Sequence, residues 1–313
     1  MGGAKTVAVV GAGATGAYLA ARLVDSGARV TLIARGASHE RISADGIEII
    51  DADGNRHTSR PWQVITPDEA AEPVDLVLFC VKTYDTESAS ALVGPLLGDD
   101  GHVLCLQNGV KNEEILAQAF GPSRVLSGVL YIGSERVAPG VISCSSPPRI
   151  VVGPFDGADP GVSTDVEELF SRAGITATMS LDVRAAKWQK FLFNCGLNPL
   201  TAITSQRMGQ LLAQPAAMAV FDALVDEAAA VAVADGAPLV PGYREQVDAT
   251  ARRMDISSSM AEDLQAGRAI ELDAFTGYVL ELGERTGVAT PATRVVHGIL
   301  TALDSARTTS TRG

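Results

Sequence analysis

The stretch Thr6–Gly16, T-V-A-V-V-G-A-G-A-T-G, limits what this chain can fold into more than any other. Val7–Val10 is an apolar, β-branched run with no polar break, the pattern of a strand buried on both faces of a parallel sheet. It leads directly into G-x-G-x-x-G, and an alanine-rich segment with helical spacing, Ala14–Ser26, follows. Strand, glycine turn and helix in that order make a dinucleotide site. Gly11 makes the tight turn, Gly13 lets backbone amides approach a pyrophosphate, and Gly16 lets the helix pack on the strand. Gly11, Ala12, Gly13, Ala14, Thr15 and Gly16 together form the candidate phosphate cradle. The helix N-terminus adds unpaired N–H groups and a partial positive charge.

The second strand, Arg29–Ala34, ends at Arg35, where a carboxylate would hold the ribose diol of NAD. A guanidinium there pairs with a 2′-phosphate, so NADPH is the expected cofactor. The competing reading is a solvated arginine at a strand end.

Charge bears on what else the chain could bind. Its 313 residues carry a formal net charge of −12, which argues against nucleic acid or an anionic membrane surface as a general partner. An anionic cofactor must then be held by local cations. The four cysteines (Cys80, Cys105, Cys144, Cys195) are scattered without a C-x-x-C, as buried thiols in a reducing compartment would be. No apolar segment is long enough to span a bilayer, and cytoplasm is the expected location.

Further along, Ile47–Asp51 and a turn at Asp53-Gly54-Asn55 suggest a surface hairpin. Asp75–Val81 is a second core strand ending at Lys82, a helix covers Thr86–Leu97, and His102–Leu106 is a strand ending at Gln107-Asn108-Gly109. Lys82 and Asn108 both sit just past the carboxyl end of a core strand, the rim where open α/β sheets bind ligands. Taken singly, each could equally be a solvated lysine or a turn asparagine. From Arg124 to Val152 the pattern becomes antiparallel, turning at Val137–Gly140. A helix over Val162–Ala173 and a strand over Ile175–Met179 follow. The fold class is therefore α/β: a Rossmann-type doubly wound sheet with added antiparallel strands over residues 1–180. An all-helical domain follows over 181–313, with helices at about Asp182–Asn198, Pro215–Ala234, Tyr243–Met254, Glu271–Thr286 and Pro291–Ser305. Only the last few residues read as disordered.

The helix starting at Asp182 holds an oddity. Trp188, Phe191, Leu192, Phe193, Cys195 and Leu197 spread around almost its whole circumference, as on a buried helix. Lys190, Asn194 and Asn198, at i, i+4 and i+8, share an arc of about 80°, and Lys187 falls within it. A lysine among apolar neighbours needs a partner or a wet cavity, and two amides beside it could orient a polar ligand. A solvent-facing stripe is the alternative. Ser259-x-x-Glu262 matches a helix capping box, and Glu271 opens a helix where acids favour the dipole; spacing alone supports those bland roles. No metal-ligand spacing and no nucleophile elbow is evident.

These motifs resemble the ketopantoate reductases (2-dehydropantoate 2-reductases), within the 6-phosphogluconate dehydrogenase-like superfamily. The resemblance runs over nearly the whole chain: GAGATG (Gly11–Gly16), Arg35, VKTYD (Val81–Asp85), QNG (Gln107–Gly109), KWQKFLFNCGLNPLTA (Lys187–Ala202), SSM..D (Ser258–Asp263) and ELD...G (Glu271–Gly277). The Lys190–Asn194–Asn198–Pro199 signature is the specific part. The resemblance implies NADPH-dependent reduction of ketopantoate to pantoate, in pantothenate and coenzyme A biosynthesis. It implies Lys190 as the catalytic lysine and proton donor, with Asn194 and Asn198 beside it. Ser259 would hold the substrate carboxylate, Glu271 would order Lys190 and the substrate hydroxyl, and Lys82 and Asn108 would lie near the nicotinamide. Thr276 and Thr293 depart from the family pattern, in which asparagines are common there, and this opens the choice of 2-oxo acid. Another 2-oxo acid or an opine-like imine as substrate, or an NADPH sensor without turnover, are the alternatives. A homodimer is a family expectation.

Overall fold

The computed structural model describes residues 5–310. The chain divides into two compact units, one ending at Val183 and the other beginning at Arg184. The expectation for the last few residues lies, for 311–313, outside the described residues.

In the first unit, β1 (Thr6–Val10) is an interior strand of a mixed sheet. It is flanked by β2 (Arg29–Ile33) on one side and β6 (Val74–Phe79) on the other, both parallel to it. β5 (Gln63–Ile65) extends the β2 side. β7 (Leu97–Cys105) and β8 (Val125–Ala138) extend the β6 side, again parallel. After β1 the chain moves to β2, and it later returns to β6 across β1, so the strand order reverses at the β1–β6 boundary. That boundary is the topological switch point, and the crevice at its carboxyl end is where such sheets bind ligands.

Side chains on β1 alternate between two cores, which explains the unbroken apolar run. Val7 and Val9 pack with α1 (Ala14–Asp25) and α5 (Pro160–Arg172); Ala8 and Val10 pack with α3 (Thr86–Val93) and α4 (Asn112–Phe120).

β8 and β9 (Val141–Pro154) form the expected antiparallel pair, turning at Pro139-Gly140, where Gly140 has φ of 71°. β10 (Thr176–Met179) adds to β9 in parallel. The hairpin of β3 (Ile47–Ile50) and β4 (Arg56–Ser59) forms as the Asp-Gly-Asn turn predicts, but it is no detached excursion. β3 pairs with β9 at the far end of the sheet, and Ile47 and Ile49 are buried in the α1 core. Helix α3 is shorter than the sequence suggests. After Val93 it tightens into a 3-10 turn at Gly94–Leu96, because Pro95 cannot donate the next helical hydrogen bond. Short α2 (Gly36–Asp45) follows β2.

Helix α6 (Val183–Thr204) leads into the second unit, and helices account for its regular structure among the described residues. α7 (Met208–Leu212), α8 (Pro215–Ala234), α9 (Tyr243–Arg253) and α10 (Ser259–Gln265) follow, then α11 (Tyr278–Thr286) and α12 (Pro291–Ser310). A Cβ on Gly196 would lie 2.5 Å from the Phe221 ring, so that glycine sets how closely α6 and α8 approach. α12 starts against α8: the Glu227 carboxylate accepts from Ala292 N, Thr293 N and Thr293 Oγ1 at 2.7–2.8 Å. Thr293, the departure from the family pattern, thus serves a helix start. Among the described residues, no helix is long and apolar enough to cross a membrane. All four cysteines are free thiols.

Candidate active site

The three glycines of the turn take separate roles, each set by a different contact. Gly11 has φ of 107°, a region costly for any side chain, and a Cβ there would lie 3.1 Å from the Cys80 carbonyl at the end of β6. Gly16 faces back at the turn: a Cβ there would sit 2.0 Å from Gly11 O. At Gly13 the space is open, with no described atom within 4 Å of a Cβ position. Gly13 is the N-cap of α1, whose first turn has no side-chain cap hydrogen bond and no acidic residue. Orphan N–H groups therefore face an open crevice at the switch point, which suits a pyrophosphate. Arg35 is exposed at the end of β2 and is the N-cap of α2.

Two loops complete this rim. Val81–Thr86 follows β6 and carries Lys82, while Leu106–Lys111 follows β7 and carries Asn108; both residues are half-buried. A buried polar network, absent from the sequence-based reading, ties these loops together. Gln107 Nε2 donates to Val81 O at 3.0 Å and to Thr86 Oγ1 at 2.8 Å. Thr86 Oγ1 lies 3.2 Å from Asn112 Oδ1, and Asn112 Nδ2 donates to Asn108 O at 2.8 Å. Gln107, Thr86 and Asn112 are all buried, so these bonds exchange for no water and hold the two loops in register. The Q of the Q-N-G motif was the available signal.

In the second unit, α6 presents the polar stripe. Trp188, Phe191, Leu192, Phe193, Cys195 and Leu197 are buried around it, as their spread around the helix predicts. The stripe is not a solvent face: Lys187 and Asn198 are buried, and Lys190 and Asn194 are half-buried. Phe191 stacks on Phe275 with centroids 6.0 Å apart and meets Trp188 and Tyr278 edge-on. That cluster packs the helix against the segment that carries Glu271.

Glu271 is itself buried and precedes the helix instead of opening it. Asp273–Gly277 forms a π turn, with Gly277 N donating to Leu272 O at 2.9 Å, before α11 begins. The expected dipole role for this acid therefore does not apply. Thr276 lies within that turn, buried, its Oγ1 2.9 Å from His297 Nδ1.

Burial pushes the Lys190 amine down to about 8; repulsion from Lys187 adds to this and attraction from Glu271 opposes it. Such an amine holds its proton at neutral pH and releases it readily.

The helix cap falls one residue earlier than the Ser259-x-x-Glu262 box expects, and with Ala261 at its third position it is a single N-cap. Ser258 is the N-cap of α10, accepting from Ala261 N at 3.1 Å and from Thr201 Oγ1 at 2.6 Å. The buried Thr201 favours Ser258 for the cap, and the sequence pattern had no access to that contact. Ser259 is exposed on the first turn of α10.

Family models for "Ketopantoate reductase PanE/ApbA" and "Ketopantoate reductase PanE/ApbA C terminal" match residues 7–157 and 182–304. The chain belongs to the ketopantoate reductase family. As a member of that oxidoreductase family, it is 32% identical to the 2-dehydropantoate 2-reductase of Halobacterium salinarum over 93% of this chain and 96% of that protein. The crystal structure of a PanE/ApbA family ketopantoate reductase from Ralstonia eutropha JMP134 superposes with a TM-score of 0.89 at 32% identity, covering 97% and 99% of the two chains. A D-mandelate dehydrogenase with NADH and anilino(oxo)acetate has a TM-score of 0.90 at 23% identity, covering 97% and 99%, a likeness of fold. Within the ketopantoate reductase family, then, this chain has an open glycine turn on a sheet and a partly desolvated lysine on a helix.

Proposed function

We propose that this protein is an NADPH-dependent reductase of 2-oxo acids that converts 2-dehydropantoate to pantoate, within pantothenate and coenzyme A biosynthesis. The observation that carries this is Lys190, an amine among apolar residues with Glu271 and Lys187 as charged neighbours. Relatives named 2-dehydropantoate 2-reductase support the substrate.

The residues present fit a phosphorylated dinucleotide. Gly11–Gly16 would take its pyrophosphate and Arg35 its 2′-phosphate, and Lys82 and Asn108 would lie toward the nicotinamide end. Bound there, the dihydronicotinamide supplies a hydride for the ketone carbon. Negative charge then develops on the ketone oxygen, where the Lys190 ammonium stabilises it and donates the proton. Glu271 keeps the ammonium charged and oriented. Asn194, Asn198 and Ser259 fix the substrate, Ser259 through its carboxylate.

NADPH oxidation with ketopantoate, followed at 340 nm for wild type and Lys190→Ala, tests this. Turnover in the wild type and a loss of kcat of about 10²-fold or more in the variant are expected, with NADPH binding retained. A variant near full activity refutes the assignment. A second substrate within the same chemistry, another 2-oxo acid, is favoured by Thr276 and Thr293, whose hydroxyls are engaged with His297 and Glu227. Relative kcat/KM over a panel of 2-oxo acids separates the two.

A further inference from the structure

The segment between Glu271 and α11 does no chemistry in the scheme above, yet several contacts hold it in place. Asp273–Gly277 is a π turn, a rare form that is found mostly as a single turn and often at functional sites. Its donors converge on one acceptor. The carbonyl of Leu272, the residue directly after Glu271, accepts from Phe275 N at 3.2 Å and from Gly277 N at 2.9 Å, and Thr276 Oγ1 lies 3.5 Å from it. The turn therefore sets the direction of the backbone that leaves Glu271.

Two different helices hold the turn. Toward α6, Phe275 is 1% exposed and its ring stacks on that of Phe191, with 6.0 Å between centroids and 11° between planes. Tyr278 meets the same Phe191 ring edge-on at 6.2 Å. Phe191 directly follows Lys190 on α6, and buried rings packed in this way transmit a shift from one segment to the other. Toward α12, the buried Thr276 has its hydroxyl 2.9 Å from His297 Nδ1. α12 is in turn fixed on α8 through Thr293 and Glu227. The two positions that depart from the family pattern thus belong to one line of contacts, from α8 to α12 to the turn. Gly277 closes the turn tightly: a Cβ there would lie 3.0 Å from Asp273 Oδ1 and 3.3 Å from Leu272 O.

We propose that this π turn is a positioning device, in which Phe275 and Thr276, both sealed from solvent, fix where Glu271 stands relative to Lys190. This rests on the reductase reading above. The path runs from Lys190 through Phe191, the Phe275 ring and Leu272 O to Glu271. Misplacing a reacting group by about 1 Å can cost about 10²-fold in rate. Asn194, Asn198 and Ser259, which fix the substrate, lie off this path, so loosening the turn should lower kcat and spare KM.

Steady-state and single-turnover rates of NADPH oxidation with ketopantoate test this in Phe275→Leu, Glu271→Gln and the double variant. Phe275→Leu removes the stack and keeps the position apolar. It should lower kcat about tenfold while KM changes less than about twofold. In a Glu271→Gln background the same substitution should cost less than about twofold, because no carboxylate remains for the turn to place. Thr276→Val, of the same shape, removes the contact with His297 and should show the same pattern at about threefold; it carries the test if Phe275→Leu does not fold. Equal losses with and without Glu271, or an unchanged kcat in the folded variants, overturn the positioning role alone. A Glu271→Gln enzyme with wild-type kcat overturns it together with the role of Glu271. A wild-type enzyme inert toward every 2-oxo acid overturns the reductase reading and this inference with it.

Discussion

Replacing Lys190 by methionine should make the protein more stable while disabling it. The amine falls from its ordinary 10.5 to about 8, chiefly through burial. At 1.36 kcal/mol per pH unit, holding it charged at pH 7 costs the fold about 3 kcal/mol at most. Part of the side chain stays open to solvent, and screening there brings the expected cost to about 1–2 kcal/mol. Methionine fills a similar volume and carries no charge, and Lys187 and Glu271 remain as one charge of each sign. The pH dependence has a definite sign. Because the folded-state value lies below the unfolded one, the penalty is fully present below pH 8 and disappears above pH 10.5. Between those limits the unfolded chain binds more protons, so wild-type stability rises with pH. Lys190→Met should therefore melt about 2–6 °C above wild type at pH 7, and the difference should shrink at pH 9.5. Differential scanning calorimetry at the two pH values, beside an NADPH oxidation assay, measures both effects. A variant that melts below wild type at pH 7, or whose difference is the same at both, would refute the claim that Lys190 is held charged at a cost.

Three further outcomes follow from the described contacts. Arg35→Asp should raise the Kd for NADPH about 10–100-fold relative to NADH, through loss of a charge-assisted pair, as titration of cofactor fluorescence reads out; an unchanged ratio removes the phosphate role. Gly16→Ala sets a methyl 2.0 Å from backbone Gly11 O and should cost about 1–3 kcal/mol by urea denaturation, with weaker cofactor binding. Glu227→Ala removes the acceptor for three hydrogen bonds at the start of α12 and should cost about 1–2 kcal/mol by the same measurement, with faster amide exchange at Ala292 and Thr293.

Periodicity revealed what is local or two-sided. The Val7–Val10 run shows strand β1 because both of its faces are buried, and the α6 stripe shows because most other directions on that helix are apolar. Contacts between distant segments left weaker traces. β3 lies between β4 and β9, and its pairing with β9 joins residues more than ninety positions apart, which no hairpin rule contains. Ser258 wins the cap from Ser259 because Thr201 reaches it from α6. The π turn before α11 adds a residue to the helical count, which a 3.6-residue template averages away. Short β5 and α7 are too brief to carry a period at all. In the candidate site, the glycine turn, Arg35 and the lysine stripe were legible from the chain alone, whereas the amide and hydroxyl network beneath the rim was not. Its members are ordinary polar residues until the fold buries them together.

That network has a bearing on how the enzyme can be altered. Since Gln107 grips the strand-end loop carrying Lys82 while Asn112 clamps the one carrying Asn108, neither segment is an independent module. Grafting a single foreign loop would strand amide or hydroxyl groups without partners in the protein interior. Engineering toward new substrates should therefore transplant both segments as one cassette, their anchoring triad included.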